Sequence, residues 1–222
     1  MRRTSVWVAA GTVAVGVLAG CSIGPEQRRE IAYGVDGPVR ALVVEGATGD
    51  VEVVSGGSAL TVVERHRYRG RAPEAVHQVV DGTLTVSYRC SDCSVGYRVE
   101  VPEATAVTVH NSTGDVRITG PAGRVEARSS TGRVVARGLT ASAVRLESST
   151  GEVRASFEDA PAEVTATSAT GSVEVTLPTG RTYDVDARSG TGEVRVGVER
   201  STSAPRRVTA RSGTGDVTVT RG

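Results

Sequence analysis

Few side chains in this sequence have types and spacings suited to chemistry. Cys90 and Cys93 form a Cys-Ser-Asp-Cys pair. That spacing serves a redox dithiol, half of a zinc site, or a short-loop disulfide. A redox dithiol needs a βαβ setting, and nothing around the pair reads as a helix. A structural zinc site needs four ligands, yet only His110 lies moderately near and no second CxxC exists. The disulfide is therefore expected, stapling one irregular turn. His66, His77 and His110 have no evident partners, so no catalytic residue and no metal ligand is assigned. The acids are spread along the chain, whereas polysaccharide-acting β-helix enzymes, the alternative class, need convergent carboxylates or Ca²⁺ with a strong base.

The third cysteine has a different setting. Met1-Arg2-Arg3 is a short basic region and Val6 to Ala19 is apolar and rich in Val, Ala and Gly. The stretch is too short for a spanning helix and matches a signal peptide. It ends in Leu18-Ala19-Gly20-Cys21, which resembles the bacterial lipobox. The resemblance implies cleavage before Cys21 and diacylglyceration of its thiol, with the protein held by lipid on the outer face of the cell membrane. Export also places Cys90 and Cys93 in an oxidising compartment. Residues 1–20 are thus the leader, 21–37 a lipidated cysteine and flexible tether with no sustained period, and 38–222 the folded domain.

The elements that position everything else come from a repeat. Aligned on the Thr of a Thr-Gly pair, the units fall at Thr48-Gly49, Thr113-Gly114, Thr131-Gly132, Thr150-Gly151, Thr170-Gly171, Thr191-Gly192 and Thr214-Gly215. From Thr113 the steps are 18, 19, 20, 21 and 23 residues, a solenoid period. Six residues before the Thr every unit from Val107 onward has Val, and three after it Val again; four before and five after, the residues are Val, Ala, Leu or Ile. Alternation of period two on both sides of the turn gives two short strands per unit, each with one buried face. A single unit cannot bury that face alone, but stacking turns each column into an inner ladder. Small Val and Ala suit a narrow interior, which accounts for an aromatic content of 3%. The fold class is all-β: a β-solenoid of stacked two-strand rungs, of either hand.

Within this frame Gly151 permits the sharp corner, and a hydroxyl ladder along the Thr column is expected to bond the turn backbones. Asp115, Arg133 and Glu152, and likewise Arg154, Glu174 and Arg195, alternate in sign as lateral neighbours. The stretch 55–103 reads as degenerate rungs with an excursion at 69–77. The connection opposite the Thr-Gly corner lengthens along the array and is a candidate binding edge. The last repeat ends at Arg221-Gly222, so weak self-association through an uncapped C-terminal edge is expected.

Charge separates other classes. With 26 basic residues, all Arg, against 25 acidic ones, the net charge is +1, which argues against nucleic acid as a partner. The absence of Lys and the single Asn111 fit a GC-rich genome. A calcium β-roll has a nine-residue period and a differently placed acid, and ice-binding faces carry two Thr ranks where only one is complete here. No cofactor is expected.

Tyr97-Arg98-Val99-Glu100-Val101-Pro102, Val107-Thr108-Val109 and the serial Ser-x-Thr-Gly-[Asp/Glu]-Val-x-Val units resemble the bacterial putative-adhesin domain, from Pro38 to Gly222. The resemblance implies a β-solenoid of unknown function with no catalytic residues to transfer, as an actinobacterial-type lipoprotein. Arg133 and Ser172 depart from the acidic position, against an acidic site in every rung. The expected function is a non-enzymatic, surface-tethered interaction or envelope-structural module, with an envelope protein or polysaccharide as ligand. An envelope-stress accessory role is the neighbouring alternative.

Overall fold

Each Thr-Gly pair joins two short strands, and the units stack as the repeat requires. The computed structural model describes residues 25–222; the leader and the lipobox Cys21 lie outside them. Along the chain come β1 (Gln27–Val35), β2 (Ala41–Thr48), β3 (Val51–Ser55), β4 (Leu60–Tyr68), β5 (Glu74–Val80), β6 (Thr83–Arg89) and β7 (Cys93–Val101). The repeats follow as β8 (Ala106–Thr113) with β9 (Val116–Thr119), β10 (Val125–Thr131) with β11 (Val134–Leu139), and β12 (Ala143–Thr150) with β13 (Val153–Phe157). The last are β14 (Glu163–Thr170) with β15 (Val173–Leu177), β16 (Asp184–Thr191) with β17 (Val194–Val196), and β18 (Arg207–Thr214) with β19 (Val217–Arg221).

The first strands of the rungs form one sheet and the second strands another, with parallel pairing from rung to rung. The inner columns run unbroken. Leu84, Leu42, Val107, Val125, Val144, Val164, Val208 and Val185 are successive partners in one of them. All but Val185, in the end rung, are buried. Burying a Val or Leu side chain contributes about 1.5–3 kcal/mol, so these columns hold the rungs together.

Spatial order departs from chain order at both ends. The rung β18–β19 lies between β14–β15 and β16–β17, and β6–β7 lies outside β2–β3. The expected uncapped C-terminal edge is therefore absent: β19 is flanked by β15 and β17. The open rung is β16–β17, where Val194 is 44% exposed. Asp184, Asp186 and Arg188 on β16 and the three-residue length of β17 blunt these edges. The insertion also corrects the lateral pairing. Glu174 neighbours Thr218, not Arg195, and Arg195 lies beside Glu193 and Asp216.

The opposite end is closed by antiparallel strands. β1 pairs with β4 and β4 with β7 on one sheet, and β5 pairs with β6 on the other. Residues 55–103 thus contain one true rung, β6–β7, plus a cap. The expected tether shrinks accordingly, because Ile31, Tyr33 and Val35 alternate inward on β1. Their period of two is short and flanked by Gly and Pro, so it becomes a strand only through its partner β4.

Candidate functional site

The repeated corner is the first candidate, and stacking accounts for most of its residues. Glycine in the Thr-Gly column adopts φ of 144° at Gly132 and 148° at Gly151, where an L side chain is strained. A Cβ at Gly151 would also collide with the carbonyl oxygen of Gly132 in the next rung. The Gly132 N–H donates to the Thr150 carbonyl at 2.9 Å, and that of Gly151 to Thr170 at 2.9 Å. The rungs cannot approach this closely with any side chain in the column.

The hydroxyl ladder exists, but serine makes it. Two residues before each Thr the side chain points inward: Ser129, Ser148, Ser168 and Ser212 are buried. Their hydroxyls donate to the glycine carbonyls of neighbouring corners, Ser148 to Gly132 at 2.9 Å and Ser168 to Gly151 at 2.8 Å. Asn111 fills the same place and donates to Gly49 at 2.9 Å, its bulk fitting against Gly46. The Thr side chains face solvent, because the strand's alternation breaks at the corner. Replacing Ser148 by Ala leaves the Gly132 carbonyl without this donor and is expected to cost about 1 kcal/mol, read as a lower denaturation midpoint at unchanged m-value.

The acidic position after the Gly has a related task. Asp115 accepts the Arg133 backbone N–H at 2.9 Å and its guanidinium at 2.6 Å, and also pairs with Arg117 at 2.6 Å. Burial alone would raise its carboxyl, but bonds and charge from Arg133, then Arg117, hold it below the usual carboxylate range. Asp50 and Asp216 likewise accept the next rung's N–H at 2.9 Å. These acids fasten corners.

Beside the corner, on the sheet of first strands, runs an open groove of about 800 Å³. Charged side chains three before the Thr line it, among them Glu45, His110, Arg128, Glu147 and Arg211, along with the small residues Ser112, Ser130, Ser149 and Gly213. His110 pairs with Glu45 at 3.2 Å and Arg128 with Glu147 at 2.9 Å. An extended polar ligand can lie along such a surface and meet hydroxyls and alternating charges.

The other histidines also have partners that sequence spacing did not disclose. In the cap, Glu64 and His66 are 1% and 3% exposed. His66 Nε2 lies 2.8 Å from Glu64 Oε2, and the Tyr33 hydroxyl donates to Glu64 Oε1 at 2.7 Å. Burial and then the Glu64 bond push the Tyr33 phenol far up, so it stays protonated and donates. The Tyr33 ring packs on His77, centroids 4.6 Å apart. Leu60, Val62, Glu64 and His66 all face inward on β4, so the period-two pattern carried the signal. Cys90 and Cys93 are bridged across the β6–β7 turn, Cα atoms 6.1 Å apart.

The family model described as Toastrack DUF4097 matches residues 36–220. No curated protein matches the chain. Among solved structures, the chain is similar to a putative cell adhesion protein from Clostridium sporogenes, at 12% identity and a TM-score of 0.52, over 88% of this chain and 100% of that one. It is also similar to a putative adhesin from Bacteroides fragilis, at 14% identity and a TM-score of 0.46, over 88% of this chain and 97% of the other. At 12% identity the first likeness shows the fold alone.

Proposed function

The chain belongs to the Toastrack DUF4097 family, and we propose that it is a non-enzymatic lipoprotein, anchored at Cys21 on the outer face of the cell membrane, whose solenoid is an interaction module. The observation that carries this reading is how the repeated polar residues are used. Serine hydroxyls donate to glycine carbonyls and corner carboxylates accept backbone N–H groups between rungs, while the groove beside them stays open. The groove is the surface for an extended envelope ligand, a protein segment or a polysaccharide.

Two variants separate anchor from groove. Cys21→Ser is expected to abolish the diacylglyceryl mass and release the protein from the membrane fraction into the medium. Ser130→Tyr with Ser149→Tyr is expected to leave the protein anchored and folded but to reduce its capture of envelope components. Unchanged capture with the groove obstructed would remove the groove from the proposal.

A further inference from the structure

We infer that the capped end of the solenoid docks on anionic phospholipid headgroups, so that the rungs project away from the bilayer. The inference rests on the anchoring at Cys21 proposed above. Only Ser22 to Glu26 separate that cysteine from β1, and fully extended they span roughly 20 Å. Whatever surrounds the start of β1 is therefore kept within roughly 20 Å of the membrane surface.

That surface has the composition an interface needs. Gln27 lies opposite Tyr68 and Arg28 opposite Arg67, so the chain enters beside the 69–73 loop and the Cys90–Cys93 turn, where Arg69 N–H donates to the Asp92 carbonyl at 3.3 Å. Arg67, Arg69, Arg71 and Arg89 are exposed here. Among the described residues none of the four has an ion-pair partner, whereas Arg28 and Arg65 are held by Glu26 and Glu30. Glu26, Glu74 and Asp92 are the nearby exposed acids, Glu26 and Asp92 lining the same depression as Arg67 and Arg69. The chain without Arg2 and Arg3 has one more acid than base, so this free basic cluster stands against a balanced remainder.

Beside it lies β5, the outermost strand of its sheet. Of the four large hydrophobic side chains exposed among the described residues, three are on this strand: Val76 at 52%, Val79 at 45% and Val80 at 52%. Val79 lies on the inward face with His77, whose contact with Tyr33 joins β5 to β1, and Val76 and Val80 lie on the outward face, so both sides of this last strand carry apolar surface at the end that holds the free arginines. Apolar side chains at the headgroup boundary and arginines on lipid phosphates are complementary to an anionic bilayer, and a basic patch adds to a lipid anchor as a second attachment signal.

The test uses the acylated chain in vesicles, with a dye on an introduced thiol and acceptors on the lipid headgroups. Gln78→Cys labels β5, and Thr202→Cys labels the connection between β17 and β18. β5 and β16 stand eight strand spacings of about 4.8 Å apart, roughly 38 Å. In vesicles containing phosphatidylglycerol, transfer from position 78 should be severalfold stronger than from 202, and the difference should shrink in pure phosphatidylcholine. Arg67→Glu/Arg69→Glu/Arg71→Glu should give the phosphatidylcholine result in anionic vesicles while the chain stays bound through its anchor. Equal transfer from both positions, independence from anionic lipid, or thiol crosslinking of position 78 between copies in place of approach to lipid would each overturn the proposal. Failure of the anchor registers differently, as an unmodified Cys21 by mass and a chain missing from the vesicle fraction, and overturns the proposal at its base.

Discussion

Replacing Gly151 by Ala should cost about 2–6 kcal/mol, a large share of a typical domain's stability. Two effects add. The backbone at φ 148° is one that an L residue adopts only under strain of about 1–3 kcal/mol. The new methyl also meets the Gly132 carbonyl, and overpacking of this kind adds about 1–3 kcal/mol as the rungs are forced apart. Gly180 provides the comparison, since its φ is 70° but nothing lies within 4 Å of the position its Cβ would take. Gly180→Ala should therefore cost only the backbone part. Urea titrations of the two variants measure both quantities, and equal midpoints would show that rung stacking does not constrain the column.

The second large effect is expected in the cap. Glu64→Leu removes the acceptor of both His66 and Tyr33, leaving the buried His66 and the half-buried Tyr33 hydroxyl without it. Breaking a buried pair in this way typically costs about 3–5 kcal/mol. Replacing both members by apolar residues should be milder, because only the half-buried Tyr33 hydroxyl then loses its partner. Glu64→Leu/His66→Leu is thus expected to be more stable than Glu64→Leu alone, although it carries an extra substitution. A double variant less stable than the single one would mean that His66 is held by packing rather than by Glu64. The same cycle should leave the far rungs unaffected in hydrogen exchange, because β4 contacts the repeats only through β7 and β3.

How much of this was legible follows from the stacking itself. A rung presents the same inward positions as its neighbours, so the Val, Ala and Ser columns repeat in the sequence and can be aligned by eye. The order of the rungs is not encoded in the same way. Val164 pairs with Val208 and Val185 pairs with Val208, yet any of these valines would fit beside any other. The clue lay in the connections: residues 178–183 and 197–206 are the long ones, because the chain steps over a slot and then returns to fill it.

The cap was harder to read because its strands pair antiparallel with distant partners and share no repeat. Gln27 to Val35 reads as tether from composition, and nothing in residue type marks Glu64 and His66 as buried. Their positions on the inward side of β4 outweigh residue type. The Thr column misled for a related reason. Its constancy suggested a bonding role, whereas the buried serine two residues earlier performs it, and only the break in alternation at the corner places one inside and the other outside.

The late placement of β18–β19 bears on how the molecule is made. A chain emerging from its N-terminus reaches Thr191 before the strands that must separate β14 from β16 exist. The inward columns of β14 and β16 match, Val164 with Val185 and Ala166 with Ala187, so the earlier rungs could close on one another as soon as both are available. The native arrangement requires that slot to stay open, or to reopen, until Arg207 to Arg221 arrives as a wedge. Folding in chain order would therefore place β18–β19 by insertion rather than by the addition of one more layer, and premature closure of that gap is the error this topology must avoid.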